Sequence, residues 1–100
     1  MDMKKMMKQA QKMQREAALA QEEIAGMEFT ATAGGGMVQA TVTGGMEVKA
    51  IVIDPEAMDP EDAEMLQDMV VAAVNEALRQ ATEASNARMN GIMGGMNLPF

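Results

Sequence analysis

Residues 28–55 read EFTATAGGGMVQATVTGGMEVKAIVIDP, from Glu28 to Pro55, and the glycines in this stretch decide the fold. Three runs rich in Thr, Val and Ile are separated by Gly34-Gly35-Gly36 and by Gly44-Gly45. β-Branched side chains suit a pleated, half-buried surface, and glycine supplies the positive φ that tight hairpins need. Strands are therefore predicted over Glu28–Ala33, Met37–Thr43 and Met46–Ile53, joined as a three-stranded antiparallel meander. In the middle run Val38, Ala40 and Val42 fall on one side, with Gln39, Thr41 and Thr43 on the other. In the third run Val48, Ile51, Val52 and Ile53 place apolar groups on both sides near its end, which predicts burial on both faces or a β-bulge.

Both flanks of this stretch have helical periodicity. Upstream, Met3, Met6, Ala10, Met13, Ala17, Ala20, Ile24 and Met27 recur every three or four residues without a break. That is the seam of a helix packing along another helix, predicted from Asp2 to about Met27 and weakened near its end by Gly26. Such a rod is about 39 Å long at ~1.5 Å per residue, too long to lie wholly on a small globule. Part of it is expected to project or to pair with a second copy. Downstream, Asp54-Pro55 ends the third strand, and Asp59-Pro60-Glu61-Asp62 is a helix-start signal, with a capping carboxylate, a first-turn proline and acids at the positive end of the dipole. Leu66, Met69, Val70, Ala73, Val74, Ala77, Leu78 and Ala81 form the apolar side of a second helix, predicted to run to about Met89. The last ten residues, 91–100, lack periodicity and contain three glycines, so they are expected to be a mobile tail. The fold class is α+β, with element order α-β-β-β-α in one domain.

The composition removes most chemistry. The chain has 100 residues, no cysteine and no histidine, so disulfides, thiolate nucleophiles, nucleophile–histidine catalysis and the usual zinc sites are excluded. Thioether sulfur in principle binds Cu(I), but the helical spacing of the 14 methionines fits core packing better. Gly34-Gly35-Gly36 lead into a strand rather than a helix, which suits a hairpin and not a phosphate loop. The acids from Asp54 to Glu64 lack calcium-loop spacing and are explained by turns and caps. No metal, cofactor or small-molecule substrate is expected, and no enzymatic activity. The first twelve residues contain no continuous apolar stretch of the secretory kind, and no run approaches the ~20 apolar residues of a membrane span. Together with the missing cysteines this predicts a cytoplasmic protein.

Charge is the most informative feature. The net charge is −7, yet five of the eight basic residues, Lys4, Lys5, Lys8, Lys12 and Arg15, lie in the first fifteen positions. At about 100° per residue they occupy an arc of roughly 100°, opposite the apolar seam. Two readings fit this face: a row of cations for phosphates, and a solvated surface of an ordinary helix. A basic amphipathic helix also suits an anionic membrane, although a seam of Ala and Met without Trp or Phe fits a protein partner better. Nothing resembles a base-reading module, so any nucleic-acid contact is expected to be mainly with backbone phosphates. A helix-and-tail adaptor that docks another protein is the alternative.

The residues also carry a resemblance. Met6-Met7-Lys8-Gln9-Ala10-Gln11-Lys12-Met13-Gln14 with Glu22-Glu23-Ile24 is similar to the opening helix of the YbaB/EbfC family. Thr43-Gly44, Glu47-Val48-Lys49 and Ile51-Val52-Ile53-Asp54-Pro55 resemble its third strand, and Glu64 to Asp68 with Ala72 to Ala77 its second helix. Gly94-Gly95-Met96-Asn97-Leu98-Pro99-Phe100 is similar to its glycine-rich tail. The resemblance implies a bacterial, nucleoid-associated homodimer that binds double-stranded DNA and serves nucleoid organisation or gene expression. It implies a family domain over residues 1–90, dimerisation through the sheet region, and helices projecting like the arms of a tweezer. Lys8 and Lys12 match basic positions of the family's first helix, and Lys4, Lys5 and Arg15 extend the same face. Residues expected in dimer or helix packing are Met6, Ala10, Met13, Ala17, Ala20, Ile24, Val48, Ile51 and Ile53. The second helix departs from the family in having few basic residues.

Overall fold

The computed structural model describes residues 2–94. Helix α1 spans Met3–Ala25, strands β1, β2 and β3 span Glu28–Ala33, Val38–Thr43 and Val48–Ile53, and helix α2 spans Ala63–Gly94. Two single 3₁₀ turns, Pro55–Ala57 and Pro60–Asp62, link β3 to α2. The sheet is an antiparallel meander in the order β1-β2-β3, as the glycine spacing predicts.

The two hairpins use glycine for different reasons. Gly34, Gly35 and Gly36 take φ of 64°, 68° and 93°, a left-handed run open to a residue without Cβ. At the second hairpin the expectation of positive φ at both glycines is overturned. The left-handed residue there is Met46, at φ 65°, and β3 begins only at Val48. Gly44 is required by proximity instead, since a Cβ on it would lie 1.9 Å from the carbonyl oxygen of Ile24.

The third strand is also corrected. Its two faces are not both buried: Val48, Ile51 and Val52 are 49%, 40% and 61% exposed. A bulge is present, but near the start of the strand. Thr41 pairs with Ala50 and Val42 with Val48, leaving Lys49 as the extra residue. That single insertion resets the parity, so Val48, Ile51 and Ile53 all face the same way as their partners Val42, Ala40 and Val38. On the other face Thr30 and Thr41 share a hydroxyl hydrogen bond of 3.0 Å.

The core lies between this face and α2. Val38, Ala40 and Val42 of β2 and Ala73, Ala77 and Ala81 of α2 are completely buried. The three alanines, four residues apart, bring the helix close to the sheet. Around them Phe29, Leu66, Met69, Val70, Val74 and Leu78 close the sides. α2 lies across β1 and β2, which leaves β3 as an apolar edge beyond its cover. The Val42→Ala variant is expected to lower stability by about 2 kcal/mol, because its fully buried side chain packs with Ala31, Ala77 and Ala81 and its loss leaves a cavity. Urea unfolding checks this, as a lower midpoint at unchanged slope.

Helix boundaries move in ways that local physics explains. Asp59 caps the second 3₁₀ turn through the Glu61 amide at 2.9 Å, and α2 proper starts at Ala63 with Asp62 accepting from the Met65 amide at 3.3 Å. At the other end α2 passes the expected stop at Met89 and runs through Gly91 to Gly94. Met89 and Ile92 are half-buried there, and their packing offsets the ~1 kcal/mol that a mid-helix glycine costs relative to alanine. The rest of the expected tail, 95–100, lies outside the described residues.

Candidate nucleic-acid interface

α1 is an arm fixed at one end. Ala20 and Ile24 are 1% and 5% exposed, Met13 and Ala17 are half-buried, and Ala10, Met6 and Met3 are exposed. The seam therefore does pack, but only along its second half. Gly26 ends the helix by donating its amide to the Glu22 carbonyl at 3.3 Å, and the Gly44 amide donates to the Met27 carbonyl at 3.0 Å, tying the arm to the β2–β3 turn. α2 runs beside α1 in the opposite chain direction, and Arg88 bonds Glu23 at 2.9 Å across the pair. The molecule measures 70 × 25 × 16 Å, drawn out by these two helices.

Lys4, Lys5, Lys8, Lys12 and Arg15 all lie on the projecting part of α1, and all are exposed. Lys12 stands 3.9 Å from Glu16, a weak contact with the lysine side chain 72% exposed. Lys4, Lys5, Lys8 and Arg15 enter no ion pair among the described residues. Lys5, Lys8, Gln9 and Lys12 together line one shallow depression. Further along the same side the sequence turns to Glu16, Leu19, Glu22 and Glu23, so the face is cationic outward and acidic toward the body. The seam residues and the cations fall on opposite sides of the helix, as the periodicity predicts.

The other basic residues are neutralised. Arg79 is bracketed by Glu76 and Glu83, at 2.9 Å from Glu76 through its Nε, and Lys49 pairs with Glu28 across the sheet. The hydrogen bonds from Arg79 lower the Glu76 pKa below the usual carboxylate value and raise the Arg79 pKa further, so the pair stays charged and coupled at neutral pH. Arg88 is occupied by Glu23. α2 thus presents no unpaired arginine or lysine among the described residues. The Arg88–Glu23 tie joins residues 65 positions apart, and no local pattern in the sequence signals it.

A groove of about 840 Å³ opens between the helices, lined by Lys12, Met13, Leu19, Arg88 and Ile92 among others. Small-molecule sites are walled mainly by apolar side chains with a few convergent polar groups. This groove mixes cations and carboxylates along its length and gathers no such set. Among the described residues there is also no cluster of acidic side chains able to hold a metal ion, and no helix long and apolar enough to cross a membrane.

β3 supplies a second surface. Val48 and Ile51 stand at the uncovered edge of the face that α2 packs against, Ile53 is half-buried beside them, and Val52 points from the opposite face.

Comparison with known proteins agrees with this architecture. The chain is 49% identical over 98 residues to a nucleoid-associated protein of Clostridium acetobutylicum, covering 98% of this chain and 88% of that protein. It is 48% identical to a nucleoid-associated protein of Pelotomaculum thermopropionicum, covering 98% and 93%. The crystal structure of an uncharacterized Helicobacter pylori protein superposes with a TM-score of 0.80 at 24% identity, over 93% of this chain and 98% of that one, a likeness of fold. The family model of the YbaB/EbfC DNA-binding family matches residues 1–96, and with α1, the meander and α2 in the order expected of it, the chain belongs to that family.

Proposed function

We propose that the protein is a homodimeric, nucleoid-associated DNA-binding protein of the bacterial cytoplasm that grips duplex DNA through its phosphates, with little sequence preference and no catalysis. The observation that supports this most is the row of Lys4, Lys5, Lys8 and Arg15, exposed and unpaired on an arm that stands away from an acidic body. Cations in the first turn of a helix oppose its dipole and weaken it slightly; Lys4 and Lys5 sit there, next to the Asp2 carboxylate that caps the turn by accepting from the Lys4 amide at 3.0 Å. A bound phosphate reverses that cost, because lysines and dipole then attract the same anion. The carboxylates nearer the body repel the DNA backbone, so the duplex is steered to the outer half of the arm. Apart from Arg15 the row is lysine, a flexible point charge that suits phosphates better than the fixed geometry of base edges. This supports a role in nucleoid organisation or broad gene regulation rather than recognition of one operator.

The test is fluorescence anisotropy on an arbitrary duplex over a salt series. Affinity is expected to fall steeply, with a log–log slope approaching about −4.5 per arm if all five cations meet phosphates. A flat salt response would remove the mechanism.

Two arms in one particle require a dimer, and the β3 edge suits one. Val48, Ile51 and Val52 are exposed apolar side chains on an edge strand, a surface that pairs readily with its own copy. Sedimentation equilibrium at micromolar concentration is expected to give a dimer for the native chain. The double variant Val48→Asp, Ile51→Asp is expected to give a folded monomer with DNA affinity reduced at least tenfold. A native chain that sediments as a monomer would refute the dimer and leave single-arm binding.

A further inference from the structure

We infer that the groove between α1 and α2 contains a latent phosphate site, with Arg88 as its binding residue and Glu23 as the carboxylate that withholds it from duplex DNA. The inference rests on the phosphate-directed reading above and extends it to the second helix. Eighteen residues separate Lys5 from Glu23, five full turns at ~3.6 residues each, so both occupy the same angle on α1. Lys12, seven residues on from Lys5, falls within about 20° of that line. Glu23 therefore continues the cationic line, about 16 Å beyond Lys12 at ~1.5 Å per residue. Arg88 reaches across from α2 to that point and donates to Glu23 Oε2 at 2.9 Å. Lys12, Glu16, Glu23 and Arg88 all line the one open groove, so they share a surface.

Each cation of this groove stands beside an acid of α1, Lys12 at 3.9 Å from Glu16 and Arg88 at 2.9 Å from Glu23. Only the second pair is within hydrogen-bond distance. Carboxylate and phosphate are both oxygen anions that a guanidinium grips with charge-assisted hydrogen bonds, so they compete for Arg88. The strength of the tie does not decide that competition, because exposed ion pairs are weak. Position decides it. A phosphate that takes Arg88 must come up against the carboxylate it displaces, with Glu16 close by, and like charges repel at that range. Arg88 and Glu23 have side chains 54% and 63% exposed, so a neutral residue at position 23 leaves the guanidinium open to a ligand. With Glu23 in place the row of cations offered to DNA stops short of Arg88.

Glu22 serves as the internal control. It carries the same charge and is exposed, but it sits about 100° around the helix from Glu23. It enters no ion pair among the described residues. Neutralising Glu22 or Glu23 changes the net charge equally, and only the second change releases a cation.

The experiment is anisotropy on an arbitrary duplex over a salt series, with the full chain in native form and as Glu22→Gln, Glu23→Gln, Arg79→Gln, Arg88→Gln and the double variant Glu23→Gln, Arg88→Gln. Glu23→Gln is expected to bind about fivefold or more tighter than Glu22→Gln, with a log–log slope steeper by ~0.9 per arm, the increment of one added phosphate contact. The double variant is expected to lose that gain. Arg88→Gln alone is expected to weaken binding no more than Arg79→Gln does. All three variants at positions 23 and 88 lose the tie between the helices, so a fault of folding would touch all three, whereas the gain belongs to Glu23→Gln alone. Equal affinity and slope for Glu22→Gln and Glu23→Gln would overturn the inference, as would a gain that persists without Arg88. A larger loss from Arg88→Gln than from Arg79→Gln would also overturn it, because Arg88 would then already hold DNA in the native protein. Each of these failures leaves the phosphate-directed reading intact while the native chain keeps its salt-dependent binding; a native chain without such binding overturns both.

Discussion

Converting Lys4, Lys5, Lys8, Lys12 and Arg15 together to Gln is expected to weaken duplex binding by about a thousandfold or more near 0.1 M salt, since each neutralised phosphate contributes ~0.9 to the log–log salt slope. The residual slope becomes shallower by up to about 4.5 per arm for the same reason. The fold should survive, because all five side chains are exposed and Gln is nearly as good a helix former as Lys or Arg. Far-ultraviolet circular dichroism of the variant confirms that before its affinity is measured. Removing five positive charges also takes the net charge from −7 to −12, so general repulsion must be separated from lost contacts. The control is Lys49→Gln with Arg79→Gln. These cations are already held by Glu28 and by Glu76 and Glu83, and they lie on other elements. Beyond a Debye length of about 10 Å at 0.1 M salt their effect on a phosphate at the arm is screened, so the control is expected to lose roughly tenfold at most. Equal losses in the two variants would mean that overall charge, and not the α1 row, governs DNA affinity. Full affinity in the fivefold variant would place the DNA elsewhere on the molecule.

The features legible in the sequence were those set by local rules. The three strands, the turn at Gly34–Gly36, the end of α1 at Gly26 and the buried stripe through Ala73, Ala77 and Ala81 follow from propensity, glycine conformation and periodicity. So does the separation of the cationic face from the seam, since both are angular positions on one helix. Features that depend on tertiary neighbours were not legible. Apolar residues on both sides of β3 suggest a strand buried twice, but hydrophobicity does not say which strand the second helix will cover. A bulge at Lys49 leaves no composition signal; only the pairing shows that Val48, Ile51 and Ile53 share a face. The pairing of Arg88 with Glu23 removes a cation that charge counting would assign to the DNA surface. It also links α2 to α1 at the surface. The proposed surface was thus readable as a face of one helix. Its limits, set by the carboxylates that occupy the other basic residues, needed coordinates.

A single methyl group at Gly44 is expected to do the most damage to the fold. The hydrogen that it replaces points at the last turns of α1, and a Cβ there would lie 1.9 Å from the Ile24 carbonyl oxygen, 2.5 Å from the carbonyl carbon and 2.6 Å from Cγ2. Two of those atoms are backbone, held by the hydrogen bonds that end α1, so no rotamer change relieves the clash. Either the β2–β3 turn moves or α1 moves, and the bond from the Gly44 amide to the Met27 carbonyl stretches with it. Gly44→Ala should therefore cost about 3 kcal/mol or more, at the upper end of overpacking effects. For a domain of this size that lowers the melting temperature by roughly 12–24 °C, measured by calorimetry at one fixed protein concentration so that the proposed dimerisation enters every measurement equally. Two neighbouring glycines isolate the cause. A Cβ on Gly45 would meet only the Thr43 hydroxyl at 3.5 Å and the Ala25 methyl at 4.0 Å, so Gly45→Ala should be nearly neutral. Gly35 has open space around it but a φ of 68°, so Gly35→Ala should cost only the ~1–2 kcal/mol of a left-handed alanine. The expected order of damage is Gly44, then Gly35, then Gly45. A Gly44→Ala protein that melts like the Gly45→Ala protein would show that α1 is not seated on this turn. If the arm is seated there, the fraction of Gly44→Ala that remains folded keeps every lysine yet carries them on a redirected helix, and its DNA affinity should fall without any change in charge.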